Sequence, residues 1–310
     1  GIVLCLTRLN RILEIDEENL TATAQAGVVT LDFFNALMTK GLFYPPDPGS
    51  QKISTLGGNI AEDAGGLRGL KYGVTRDYVM ALSGVLGDGL QIDTGGKSVK
   101  DVAGYALKDL LVGSEGTLGI ITEATFKLIP PPQAKRTLLA YFKDTRTAGA
   151  AVSNIIAAKI IPSTMEIMDR ATINCVEDYV KIGLPRDMAA LLLIEVDGHH
   201  AAVLEEADDV RAVLERGGAA EIEEAADAAA DAGETVEIGD HTGYRYPFAL
   251  LWRPMISMRS AALFSISERR TDSLVLWTSL IPVPRIPVMM PFSKNTLASE
   301  PPLVRLSWSV

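Results

Sequence analysis

Glycine is the constraint from which the reading of this chain starts. Residues 55–66, TLGGNIAEDAGG, and residues 113–119, GSEGTLG, carry glycine too often for a regular helix or strand throughout. Without a Cβ, such segments let the main chain approach another surface closely. In the first stretch two glycine pairs flank a segment that can open a helix with Ser54 as its cap, leaving several backbone amides free in one place. A nest of that kind holds an anion or the electronegative edge of a ring without Lys or Arg. Gly57 and Gly58 would admit a flat ligand; turn glycines in a tightly wound β protein are the plainer alternative. In the second stretch Gly113, Gly116 and Gly119 allow a helix to turn sharply into a strand, where Ile120 and Ile121 offer backbone groups able to read an adenine edge. Neither stretch is GxGxxG before a helix, nor GxxxxGK[ST], so the dinucleotide and P-loop fingerprints are absent.

Around these stretches the pattern is that of an α+β protein. IVLCL, RILEID and TATAQAGV read as strands, and Thr30 is expected to cap a helix, LDFFNALMTKG, that stops at Gly41. VMALSGVLGDGLQID reads as a hairpin turning at Gly87, Asp88 and Gly89, residues 104–112 as a helix, and LGIITEATFKLIP as a strand ending at Pro130. Three consecutive prolines, Pro130 to Pro132, stop both kinds of element and mark a domain boundary. A second α+β unit follows, built from TLLAYF, TAGAAVSNIIAAK, STMEIMD, ATINCVEDYVK, LLLIEVDG and AAVLEEADDVRAVLERGG. Acidic runs such as EEADD are solvated helix faces. The divisions expected are 1–130, 131–235 and 236–310. The last is rich in Pro, Ser and Arg from about Tyr244 and has no sustained periodicity, which suggests an out-of-frame reading.

With 310 residues, 47% of them hydrophobic and 22% charged, the chain can bury two domain cores. A net charge of −10 argues against nucleic acid or a general anionic membrane as partner. Cys5 and Cys175 are far apart and lack metal-ligand spacing, so neither a disulfide framework nor a metal site is expected, and a reducing compartment fits. No signal peptide and no membrane span is apparent. The chain begins without Met in GIVLCL, which reads as mid-strand, so the amino terminus is expected to be missing.

YPPDPGSQKISTLGGNIAEDAGGLRGLKYGVTRDYV, followed by TGGKSVKDVAGYALKDLLVGSEGTLGIITEATFKL, resembles the FAD-binding domain of the vanillyl-alcohol oxidase (PCMH-type) superfamily. Within it the similarity is greatest to the GlcD-type subunits of bacterial glycolate oxidases and the related D-lactate dehydrogenases, over residues 1 to about 232. The resemblance implies an incomplete PCMH-type domain, a ferredoxin-like α+β cap and an irregular tail. It implies that the bare-backbone segments wrap an extended FAD. Pro45, Pro46 and Asp47 would lie near the flavin; Thr55, Gly57, Gly58, Asn59 and Ala61 would contact the ring and ribityl chain. Gly65, Gly66, Tyr72 and Gly73 would continue the wall, and Gly116, Gly119, Ile120 and Ile121 would hold the adenosine end. Lys71 and Arg76 are expected at solvated surface. No histidine lies in these segments, so a covalent flavin link is not expected, and His199 and His200 stand where capping explains them.

Further implied are oxidation of a small 2-hydroxy acid such as glycolate or D-lactate, a separate electron acceptor, and a hetero-oligomer with a second flavin-domain subunit and an iron–sulfur subunit. A cytoplasmic location, or a peripheral one at the inner membrane, goes with this. Three departures stand beside the resemblance: the family's first glycine-rich loop, its carboxy-terminal histidine segment, and any match for the tail. No general base is assigned, and Arg253 in LLWRP is the one candidate for a substrate carboxylate. A non-catalytic assembly subunit or inactive fragment without FAD is the alternative.

Overall fold

The computed structural model describes residues 3–224; the expected tail, with Arg253 and His241, lies outside the described residues. The first lobe is a five-stranded antiparallel sheet of β1 (Ile12–Asp16), β2 (Thr21–Gln25), β3 (Val79–Leu86), β4 (Gln91–Gly95) and β5 (Gly119–Lys127), in the order β1-β2-β5-β3-β4. Its most central strand, β5, runs between β2 and β3, and Thr23 and Thr125 face each other with hydroxyls 2.9 Å apart. Helix α1 (Thr30–Met38) presents Phe33 and Leu37, four residues apart and fully buried, to the sheet. Phe33, Tyr44 and Phe126 stack with centroids 5.2 to 5.4 Å apart and form the middle of this core. The β3–β4 hairpin turns through Gly87–Gly89 as its sequence predicts, with Gly89 at φ +88°.

The second lobe begins after Pro130–Pro132. Strands β6 (Ala134–Phe142), β7 (Thr164–Asp169), β8 (Ala190–Gly198) and β9 (Glu221–Glu224) form an antiparallel sheet in the order β7-β8-β6-β9. Second, third, first, fourth is the ferredoxin-like order. Helices α5 (Thr145–Ala157) and α7 (His200–Arg216) bury Ala148, Ile155, Val203, Val210 and Leu214 against Leu138, Ala140, Leu192 and Ile194. An added helix, α6 (Arg170–Val180), covers part of the opposite face through Ile173 and Val176, packed on Tyr141 and Leu191. With both faces covered, β8 reads as the continuous apolar run LLLI. His199 caps α7, its Nδ1 accepting the Ala201 amide at 3.4 Å.

Three local expectations are corrected. IVLCL forms no strand over its described residues: Leu9 N donates to Leu6 O, and Leu9 O accepts Gly27 N, so this backbone makes a turn, with Val3 and Leu4 exposed. The helix expected over 104–112 shrinks to α4 (Lys108–Leu111), since Gly104 sits at φ +78°, which no right-handed helix accommodates. Thr30 is the first helical residue, not a cap; its hydroxyl donates to Ser54 O at 3.0 Å.

Candidate functional site

Helix α2 (Leu56–Glu62) is where the first glycine-dense stretch becomes structure. Thr55, not Ser54, caps it, accepting Gly58 N on Oγ1 at 3.3 Å. The amides expected to be free are committed: Leu56 N donates to Val28 O at 2.9 Å, Gly57 N to Ala26 O at 2.8 Å and Asn59 N to Thr55 O at 2.9 Å. No open nest exists there. Gly57 serves the close approach of helix to chain, because a Cβ on it would stand 2.6 Å from Ala26 Cβ. Gly58 differs, since its Cβ would meet only Thr55 Oγ1, at 3.4 Å. Asn59 is buried and donates through Nδ2 to Thr30 Oγ1 at 2.7 Å.

The two glycine-dense stretches meet. Gly113 N donates to Ile60 O and Glu115 N to Ala61 O, both at 2.9 Å. Arg76 locks the junction: Nε reaches Asp63 Oδ2 at 2.9 Å, and its terminal nitrogens donate to Asp109 O and Val112 O at 2.8 and 2.9 Å. It is a structural clamp, which corrects the expectation of a solvated side chain. Beside it, the amides of Gly65, Gly66 and Leu67, and across from them those of Gly116 and Leu118, donate to no oxygen of the described residues. Gly116, at φ +75°, has nothing within 4 Å of where a Cβ would stand. Gly119 opens β5, its Cβ position 2.9 Å from Val85 O; Ile120 points largely to solvent and Ile121 into the core.

A second wall is built from the loop of Pro45, Pro46 and Asp47 and from α3 (Gly69–Tyr72). The prolines are buried, and Gly66 lies against Asp47, whose Oδ1 would be 2.2 Å from an added Cβ. Arg68 donates its amide to Asp47 Oδ1 at 3.2 Å and holds the other oxygen through Nε at 3.8 Å. Burial nonetheless pushes the Asp47 carboxyl up to about 6, against the pull of Arg68. Gly73 follows α3 at φ +86°, with its Cβ position 2.2 Å from Asp77 Oδ2.

Lys71 also departs from the solvated role expected of it. Its Nζ donates to Asp197 Oδ1 at 2.6 Å, and the Tyr72 hydroxyl donates to Asp197 Oδ2 at 2.8 Å. Burial first, then Asp197, raises the Tyr72 phenol well above its ordinary range, so it stays a donor. Asp197 and Glu195 are functional-looking residues that the sequence reading missed. Their signal is two acids at i and i+2 in an otherwise apolar strand, hence on one face. Lys135 Nζ pairs with Glu195 Oε2 at 3.2 Å. Among the described residues no group of three or more His, Cys, Asp or Glu side chains could hold a metal ion, and no helix is long and apolar enough to cross a membrane.

Residues 1–95 match the family model of an FAD binding domain, and residues 131–254 match that of FAD linked oxidases, C-terminal domain. The glycolate oxidase subunit GlcD of Bacillus subtilis (strain 168) is 58% identical over 225 residues, 73% of this chain and 48% of that protein. A D-lactate dehydrogenase of Anaerostipes hadrus is 38% identical over 227 residues, 70% of this chain and 47% of that protein. The structure of p-cresol methylhydroxylase with substrate bound superposes with a TM-score of 0.60 over 70% of this chain and 48% of that one; at 17% identity it speaks to the fold alone. The chain spans about half the length of the curated relatives it matches. With a PCMH-type fold, an FAD-binding domain and an oxidase C-terminal domain in succession, the chain belongs to the FAD-linked oxidases, flavoproteins whose cofactor is FAD.

Proposed function

We propose that this chain is the flavin-carrying part of an enzyme that oxidises a small 2-hydroxy acid, glycolate or D-lactate, and passes the electrons to a separate acceptor. The observation that carries the proposal is the 58% identity to a glycolate oxidase subunit across 73% of the chain. A D-lactate dehydrogenase matches over nearly the same share, and glycolate and D-lactate differ only by a methyl group beside the same hydroxyl and carboxylate.

The residues present suit FAD. Gly58 and Gly116 leave space that a Cβ would occupy, and the amides at 65–67, 116 and 118 are uncommitted donors for ring edges and oxygens. The proposed cofactor contacts are Pro46, Asp47, Thr55, Gly58, Asn59, Ala61, Gly65, Gly66, Gly116 and Ile120 at the surface of the two walls. Gly57, Tyr72, Gly73, Gly119 and Ile121 shape those walls from behind. When bound, FAD supplies a two-electron acceptor for the hydrogen on the substrate's Cα. The buried Pro45–Pro48 loop gives a rigid floor, and Arg68 holds Asp47 away from the substrate's own carboxylate. Arg253, inside the C-terminal family match, is proposed to bind that carboxylate. In this proposal residues 1–130 bind FAD, 131–235 form the cap and 236–310 a separate tail. A second flavin-domain subunit and an iron–sulfur subunit complete the electron path.

The test is anaerobic mixing of glycolate or D-lactate with the purified, FAD-loaded protein. Loss of the visible flavin absorbance with either acid is the expected result. A protein that takes up FAD but keeps its colour with both acids contradicts the substrate class. One that never takes up FAD points to the assembly-subunit alternative, which the committed first-turn amides of α2 favour.

A further inference from the structure

Across the β6–β8 ladder Lys135 stands opposite Asp197 and Thr137 opposite Glu195, which gathers polar side chains at one end of a sheet that is otherwise apolar. The side chain of Asp197 is 3% exposed, yet its partners come from the first lobe, more than a hundred residues earlier in the chain. Lys71 Nζ donates to both the carbonyl and Oδ1 of Asp197, and the Tyr72 hydroxyl fills Oδ2. Two consecutive residues of α3 are thus held by one carboxylate. The contacts run on from there: the Tyr72 ring meets Phe43 edge-on at 5.9 Å, Arg68 lies 5.1 Å over Phe43, and Arg68 grips Asp47. Gly66 closes the circuit against Asp47. A ligand-facing role for the Tyr72 hydroxyl hydrogen is excluded in this arrangement, because Asp197 already takes it.

We propose that Asp197 is a positioning residue: by clamping Lys71 and Tyr72 it makes the second lobe set the place of the 65–73 wall that receives the flavin. The proposal rests on the FAD reading above and adds to it a link between the lobes. A buried carboxylate with one cation and one phenol is sensitive to loss of either charge, since the partner is then left desolvated and unpaired. Removing the phenol hydroxyl alone is milder, because the ion pair survives.

Asp197→Asn and Tyr72→Phe, made in the full protein, are to be compared with wild type by amide hydrogen exchange with and without FAD, and by FAD titration. The amides of Tyr72 and Gly73, bonded to Arg68 O and Gly69 O at 2.9 and 3.0 Å, report the clamp. Expected for Asp197→Asn is exchange about tenfold faster at those two amides, unchanged exchange at Ala124 and Phe126 in β5, and an FAD dissociation constant raised about tenfold. Tyr72→Phe moves both by roughly threefold and carries the test if Asp197→Asn does not fold. Unchanged exchange at residues 72 and 73, with FAD bound normally, overturns the clamp. Faster exchange with unaltered FAD affinity overturns its link to the flavin. A wild-type protein that binds no FAD sinks the FAD reading, and the proposal with it.

Discussion

Gly57 and Gly58 are neighbours in one helix, yet the structure gives them opposite reasons to lack a side chain. Replacing Gly57 by Ala sets a methyl 2.6 Å from Ala26 Cβ and 3.0 Å from Ala26 O, while the 2.8 Å bond from Gly57 N to Ala26 O resists any retreat. Overpacking of this kind costs about 1–3 kcal/mol, and the better helix propensity of Ala returns up to about 1 kcal/mol. A net loss of about 1–2 kcal/mol is therefore expected. Gly58→Ala meets only Thr55 Oγ1 at 3.4 Å, an ordinary contact, so it keeps the propensity gain of about 0.5–1 kcal/mol. If the open space at Gly58 belongs to FAD, the same methyl lowers FAD affinity by about tenfold or more, equivalent to about 1.4 kcal/mol. Denaturant unfolding of both apo variants, with FAD titration followed by flavin fluorescence, separates the two roles. A Gly58→Ala protein that binds FAD like wild type, or a Gly57→Ala protein as stable as wild type, would falsify this division.

Asp47 should leave a pH signature. Its carboxyl is raised from the ordinary 3.8 to about 6 in the folded chain, so folding takes up a proton between those values and stability falls as pH rises through them. Relative to Asp47→Asn, wild type is expected to lose roughly 3 kcal/mol between about pH 4 and pH 7, and a constant gap across a series of denaturation curves contradicts this. Arg76→Met removes bonds to Asp63, Asp109 O and Val112 O; a loss of about 2 kcal/mol, allowing for partial exposure, is expected, with faster amide exchange at Gly113 and Glu115. Glu177 accepts the amides of Ile182, Gly183 and Leu184, which hold its carboxyl below the usual range. Stability from this group is lost as pH falls through that depressed value, and Glu177→Gln should flatten the acid limb of the stability profile.

Local chemistry was legible where neighbours in sequence are neighbours in space. Phe33 and Leu37 declare the buried stripe of α1, Gly87–Gly89 the hairpin turn, and LLLI the strand covered on both faces. Charged residues misled, because their partners lie far along the chain. Lys71 looked solvated until folding brought Asp197 to it, and Arg76 until it met two carbonyls more than thirty residues away. Glycine was readable as a demand for closeness but not for closeness to what. At Gly57, Gly66, Gly73 and Gly119 the near surface is the chain itself, whereas at Gly58 and Gly116 the space is open. IVLCL failed for a simpler reason, since β-forming residues make no strand when their carbonyls close a turn and receive Gly27.

A crystal structure of the protein loaded with FAD decides whether main chain cradles the cofactor. Oxygens or ring nitrogens of FAD should lie within hydrogen-bond distance of the amides at Gly65, Gly66 and Leu67 and at Gly116 and Leu118, with the ligand passing over Gly58. FAD seated elsewhere, with those five amides facing only water, would show that the glycine-dense stretches serve packing alone.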